Sequence, residues 1–157
     1  MQKVTPCLCF DGQAEEAASF YVSQLPDSRI ERVTRSPVET PGGPVGAVMV
    51  VEFTLAGTRY VALNAPQFQF SEAVSFMIAC DDQAEVDRLW AALTDGGTES
   101  RCGWLKDRWG VSWQVTPTRL MQLISDPDAG RARRAMGAMM TMGKIDIAAL
   151  ERAADGA

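Results

Sequence analysis

The chain has 157 residues, 46% hydrophobic and 22% charged, enough apolar material for a core in one domain or two small fused halves. Fifteen Lys and Arg against 20 Asp and Glu give a net charge of −5, which argues against the basic footprint that a nucleic-acid backbone requires. With no His at all, Ser/His/Asp triads, Cys/His dyads and HExxH zinc sites are excluded.

The first strand is predicted over Thr5 to Phe10, where alternation sets Pro6, Leu8 and Phe10 on one face and Thr5, Cys7 and Cys9 on the other. Asp11-Gly12 supplies turn chemistry, and Glu15 falls in the first turn of a helix, where the macrodipole favours it. That helix carries an apolar stripe of Ala17, Ala18, Phe20, Tyr21 and Leu25 and stops at Pro26-Asp27. Strands follow at Arg29 to Arg35 and, after a Pro/Gly loop over 37–46, at Ala47 to Leu55 and Thr58 to Leu63, a hairpin about Ala56-Gly57.

Seventy positions on, Ile78-Ala79-Cys80-Asp81-Asp82-Gln83-Ala84-Glu85 repeats the pattern of Leu8-Cys9-Phe10-Asp11-Gly12-Gln13-Ala14-Glu15, with Asp, Gln, Ala and Glu in register. A helix with Val86, Leu89, Trp90 and Leu93 inward runs to Gly96-Gly97. Short strands are predicted near Glu99 to Cys102, at Trp104 to Lys106 and at Val111 to Thr116, the last two joined by Asp107-Arg108-Trp109-Gly110. The chain therefore reads as βαβββ twice, over about 1–70 and 71–125 of a single domain. A helical extension over 126–157 follows the Asp126-Pro127-Asp128 stop and N-cap, with helices from Ala129 to about Met142 and from Ile145 to Ala154. The helically spaced Met136, Met139, Met140 and Met142 suit packing or a subunit contact. Cys7, Cys9, Cys80 and Cys102 form no CxxC pair, and reduced thiols in the cytoplasm are expected. No apolar run approaches the ~18 residues of a membrane span.

Two such modules resemble the vicinal oxygen chelate (glyoxalase/bleomycin resistance/dioxygenase) superfamily. Thr5-Pro6-Cys7-Leu8-Cys9-Phe10-Asp11-Gly12-Gln13-Ala14-Glu15-Glu16-Ala17, Phe20-Tyr21, Ala62-Leu63-Asn64, Cys102-Gly103-Trp104-Leu105-Lys106-Asp107, Gly110-Val111-Ser112-Trp113-Gln114-Val115 and Lys144-Ile145-Asp146-Ile147-Ala148-Ala149-Leu150 resemble its PhnB-like branch, which carries the label 3-demethylubiquinone-9 3-methyltransferase. The resemblance implies an α+β fold, two βαβββ modules curling mixed sheets around a cleft, plus C-terminal helices. Methyl transfer is not expected, because the Gly-rich turn and following acidic residue of a Rossmann-type cofactor site are lacking: Gly42-Gly43 lies in a loop and Gly96-Gly97 ends a helix.

In that superfamily metal ligands project from the first and last strands of each module as His, Gln or Glu. Here Thr5 and Ser75 stand where His is expected and Gln114 where Glu is usual. Neutral oxygens repay the dehydration of a divalent ion poorly, so no metal and no cofactor are expected. The residues expected to line the cleft are Thr5, Cys7 and Cys9, then Tyr60 and Asn64 with Ala62 between them, then Ser75 and Met77, then Trp104 and Lys106, and finally Ser112 and Gln114. The expected function is binding of a small molecule by a homodimer, with no nucleic-acid or membrane partner. The alternative is an enzyme on a small metabolite, with Cys7 or Cys9 as nucleophile and Lys106 or Asp107 as acid/base partner.

Overall fold

In a computed structural model that describes residues 2–157, the chain divides into two units, 1–70 and 71–157. The first contains β1 (Cys7–Phe10), α1 (Ala14–Gln24), β2 (Arg29–Arg35), β3 (Val48–Leu55) and β4 (Thr58–Asn64). The second contains β5 (Phe76–Cys80), α2 (Gln83–Thr94), β6 (Thr98–Glu99), β7 (Trp104–Lys106) and β8 (Ser112–Pro117), then α3 (Thr118–Ile124), α4 (Ala129–Met139) and α5 (Ile147–Asp155). Each unit holds a four-stranded mixed sheet of the same topology, β1-β4-β3-β2 and β5-β8-β7-β6. In each, the outer strand that precedes the helix runs parallel to the last strand, and the other pairs are antiparallel.

Helix α1 buries Ala14, Ala17, Ala18 and Tyr21, and α2 buries Val86, Leu89, Trp90 and Leu93. Both sets have the i, i+3, i+4, i+7 spacing of a helix lying on a sheet. Small alanines bring α1 close to its sheet, where Tyr21 meets Phe53 at 6.5 Å between ring centroids and Phe53 stacks on Tyr60 at 5.4 Å. The helix starts differ in chemistry. Asp82 caps α2 by accepting from Glu85 N at 2.9 Å, while Glu85 reaches back to accept from Asp81 N at 2.8 Å. Gln13 supplies no such bond to α1.

The three C-terminal helices close on a core of Leu120, Leu123, Ala135, Ile145, Leu150 and Ala154, with Met139 and Met142 packed at its margin. Met136 and Met140 are exposed. Backbone pairing ties this layer to the second sheet: Cys102 N donates to Met142 O and Gly103 N to Gly143 O, both at 2.8 Å. The Gln83 side chain adds two bonds, Nε2 donating to Ile145 O at 3.0 Å and Oε1 accepting from Ile147 N at 2.9 Å. Gly103 is required there, since its φ is +82° and a Cβ would lie 2.8 Å from Val115 O.

The helix expected to reach about Met142 ends at Met139, and the last helix begins at Ile147 rather than Ile145. In between, the chain spends the carbonyls of Met142, Gly143 and Ile145 on the pairing just described, and a continuous helix would withdraw them.

Candidate functional site

The side chains expected to form a site fall into two groups, one in each unit. In the first unit, Leu8 and Phe10 are buried under α1, Cys7 is exposed and Cys9 half-buried. Thr5 precedes β1 and is exposed. Strand β1 pairs Leu8 with Ala62 and Phe10 with Asn64, which places Tyr60, Ala62 and Asn64 on the helix side. The face expected for β4 is therefore corrected: Val61 and Leu63, opposite Cys7 and Cys9, belong to the side away from α1.

Asn64 has a structural task there. Its Oδ1 accepts from Ala14 N at 2.9 Å, supplying the helix cap that Gln13 does not, and its Nδ2 donates to Val48 O at 2.8 Å. Tyr60 is half-buried against Phe53, and burial pushes its phenol up. Partial desolvation around the Cys7 sulfur, followed by the neighbouring Cys9, pushes the Cys7 thiol up. That shift runs away from a thiolate nucleophile. Burial pushes the Cys80 thiol up to about 12, which leaves it inert at neutral pH.

The second unit collects the remaining residues on one face. In register, Met77 lies beside Gln114, Gln114 beside Trp104, Ser112 beside Lys106, and Lys106 beside Thr98. Trp113, Val115, Ile78 and Cys80 occupy the opposite face under α2 and are buried. The side away from α2 thus carries Ser75, Met77, Trp104, Lys106, Ser112 and Gln114. The first sheet has Val61 at the place that Gln114 holds in the second, so only the second sheet presents an amide there.

Gln114 Nε2 donates to Ser75 Oγ at 2.9 Å, linking the last strand to the residue that leads into β5. Lys106 Nζ lies 2.5 Å from Glu72 Oε1, and the hydrogen bond from Lys106 is the main cause holding the Glu72 carboxyl below the usual carboxylate range. A cavity of about 290 Å³ is lined by Glu72, Thr98, Glu99, Ser100, Trp104, Leu105, Lys106 and Ser112. Ser112 is 1% exposed, and its hydroxyl has no hydrogen-bond partner among the described residues. Natural proteins rarely leave such a group unsatisfied without a reason.

Asp107, expected as the alternative to Lys106 for the acid/base partner of a cysteine nucleophile, stands apart from this face. It is buried, and its Oδ1 accepts from Trp109 N at 2.9 Å and Val111 N at 3.0 Å while Oδ2 accepts from the Trp113 indole at 2.9 Å. Those bonds fold the β7–β8 turn and fix the register that sets Lys106 beside Ser112.

Ser75 and Gln114 in the second unit are neutral and hydrogen-bonded to each other, Thr5 in the first unit is neutral, and the sequence has no imidazole; neutral oxygens repay the dehydration of a divalent ion poorly. Among the described residues no three His, Cys, Asp or Glu side chains gather as ligands. A larger hollow of about 420 Å³ in the first unit is lined by Arg29, Glu31, Thr54, Gly57 and Arg59. Its polar groups already serve one another, with Arg29 on Glu31 at 2.8 Å and Thr54 donating to Glu31 at 2.6 Å.

Residues 2–116 match the family described as 3-demethylubiquinone-9 3-methyltransferase. The chain belongs to that family. Among solved structures, the PhnB protein from Bacillus cereus is 33% identical over 74% of this chain and 100% of its own, with a TM-score of 0.68. Protein PA1353 from Pseudomonas aeruginosa shares the fold at 24% identity and TM-score 0.63, over 74% of this chain and 98% of its own. None of the curated proteins matches. The family match stops inside β8, so the α3–α5 layer lies beyond the part of the chain it covers. No helix is long and apolar enough to cross a membrane, among the described residues.

Glu72 was not foreseen as part of the site. It is far from Lys106 in sequence and lies in an irregular segment, where no periodicity marks a partner.

Proposed function

We propose that this member of the family is a metal-independent binder of small molecules, and that it binds them on the side of the second sheet away from α2. The observation that carries the reading is the Ser112 hydroxyl, buried without a partner at a cavity whose other walls include an indole and an ammonium. Concave sites combine apolar walls with a few placed polar groups in this way. Methyl transfer is not part of the reading. Each sheet has a single parallel pair, unlike the parallel doubly wound sheet that carries a nucleotide-type cofactor at a glycine-rich turn. The raised Cys7 thiol likewise gives a nucleophilic reading no support.

Ser112→Ala tests the proposal through two readouts. Shifts of the Trp104 indole N–H signal, induced by small aromatic compounds, should weaken in the variant while its fold remains at least as stable. Equal ligand response in both proteins would remove Ser112 from the site.

The reading includes a homodimer in the cytoplasm. Exposed Met136 on α4 and Met140 at its C-cap are adaptable apolar contacts of the kind subunit surfaces use, and the cysteines are free thiols. Sedimentation equilibrium is expected to give twice the monomer mass, and a monomer at tens of micromolar would contradict the dimer.

A further inference from the structure

We infer that the cavity of the second unit takes a small aromatic carboxylate, and that Glu72 is a built-in competitor occupying the carboxylate's place on Lys106. The inference rests on the binding reading above and adds the charge and shape of the ligand.

Among the described residues lining the cavity, Lys106 supplies the lone cation, and its partner is a carboxylate supplied by the irregular segment before β5. The two side chains are 41% and 62% exposed. Exposed pairs of this kind are held weakly. An incoming carboxylate can therefore exchange with Glu72 at little cost if it gains contacts that Glu72 lacks. Ser112 provides one such contact, since it is the cross-strand neighbour of Lys106 on the same face and its hydroxyl has a donor to spare. Glu72 does not use that hydroxyl in the present arrangement.

The body of the ligand follows from strand spacing. Trp104 stands two residues before Lys106 on the same face, roughly 7 Å along β7. That is about the length of a benzoate from its carboxylate to the far side of its ring. A carboxylate at Lys106 and Ser112 thus places an aromatic ring against the half-buried Trp104 indole. The other acid at the cavity, Glu99, accepts from the Trp90 indole at 2.9 Å and comes from the opposite face of its strand, as the partner of Leu105. It does not compete for Lys106.

The test titrates native protein, Glu72→Gln and Lys106→Gln with benzoate and with benzamide, its uncharged counterpart, following the Trp104 indole signal. Native protein should prefer benzoate. Glu72→Gln should tighten benzoate roughly two- to fivefold, the range that loss of an exposed competing pair allows, and leave benzamide unchanged. Lys106→Gln should weaken benzoate by about tenfold or more. If benzoate and benzamide bind native protein equally, or if Glu72→Gln fails to tighten benzoate, the inference is overturned while the binding site stands. If neither compound moves the Trp104 signal in any of the three proteins, both the inference and the site fall.

Discussion

Asp107→Ala is expected to destabilise the second unit by about 3–5 kcal/mol, a fall in melting temperature of more than about 10 °C. The carboxylate is buried and receives the N–H groups of Trp109, Val111 and the Trp113 indole, all within 3.0 Å. Alanine leaves all three donors facing a hollow, and the desolvation of each is then uncompensated. Asp107→Asn should lose less. Its remaining carbonyl can still serve Trp109 and Val111, but its amide meets the Trp113 indole donor to donor. Thermal melts of the two variants should rank Ala below Asn below native. A melt of Asp107→Ala within about 2 °C of native would show that the turn holds without its carboxylate.

Ile145→Ala is expected to cost about 2–5 kcal/mol for a different reason. Ile145 is fully buried in the core of the C-terminal helical layer, so its truncation leaves a cavity among Leu120, Leu123 and Leu150. The change also loosens the segment whose carbonyls hold Gln83, Cys102 and Gly103. Amide exchange should therefore quicken at Cys102 and Gly103 as well as in α5. Loss confined to α5, with Cys102 and Gly103 as protected as before, would show that the layer is not tied to the sheet as described.

Period-two alternation placed β1, β5 and β8 with the right faces, because each mixes a buried apolar set with residues on the other side that are small, polar or, like Met77, exposed. It failed on β4. Tyr60-Val61-Ala62-Leu63-Asn64 has apolar residues at both parities, and the polar Asn64 turns inward because the first turn of α1 lacks a cap of its own. The repeated Asp, Gln, Ala and Glu also overstate the likeness of the two helices. Ala14 is buried and Ala84 exposed, so the stripe of α2 begins two residues later than the echo implies. On the candidate site, alternation set Ser112 and Gln114 on one face of the last strand, and the β7–β8 register brings Trp104 and Lys106 to that face. That the Ser112 hydroxyl lacks a partner, and that Glu72 holds Lys106, depend on tertiary distances that no spacing encodes.

A ligand-facing hydroxyl and a fold-supporting one respond to removal with opposite signs, and calorimetric melting of Ser112→Ala without ligand reads that sign directly. Deleting a buried, unpaired polar group relieves its desolvation, so the variant should be more stable by about 1 kcal/mol. A variant less stable than native by that amount would mean that Ser112 bonds within the fold, and the hydroxyl on which the binding site rests would belong to the scaffold.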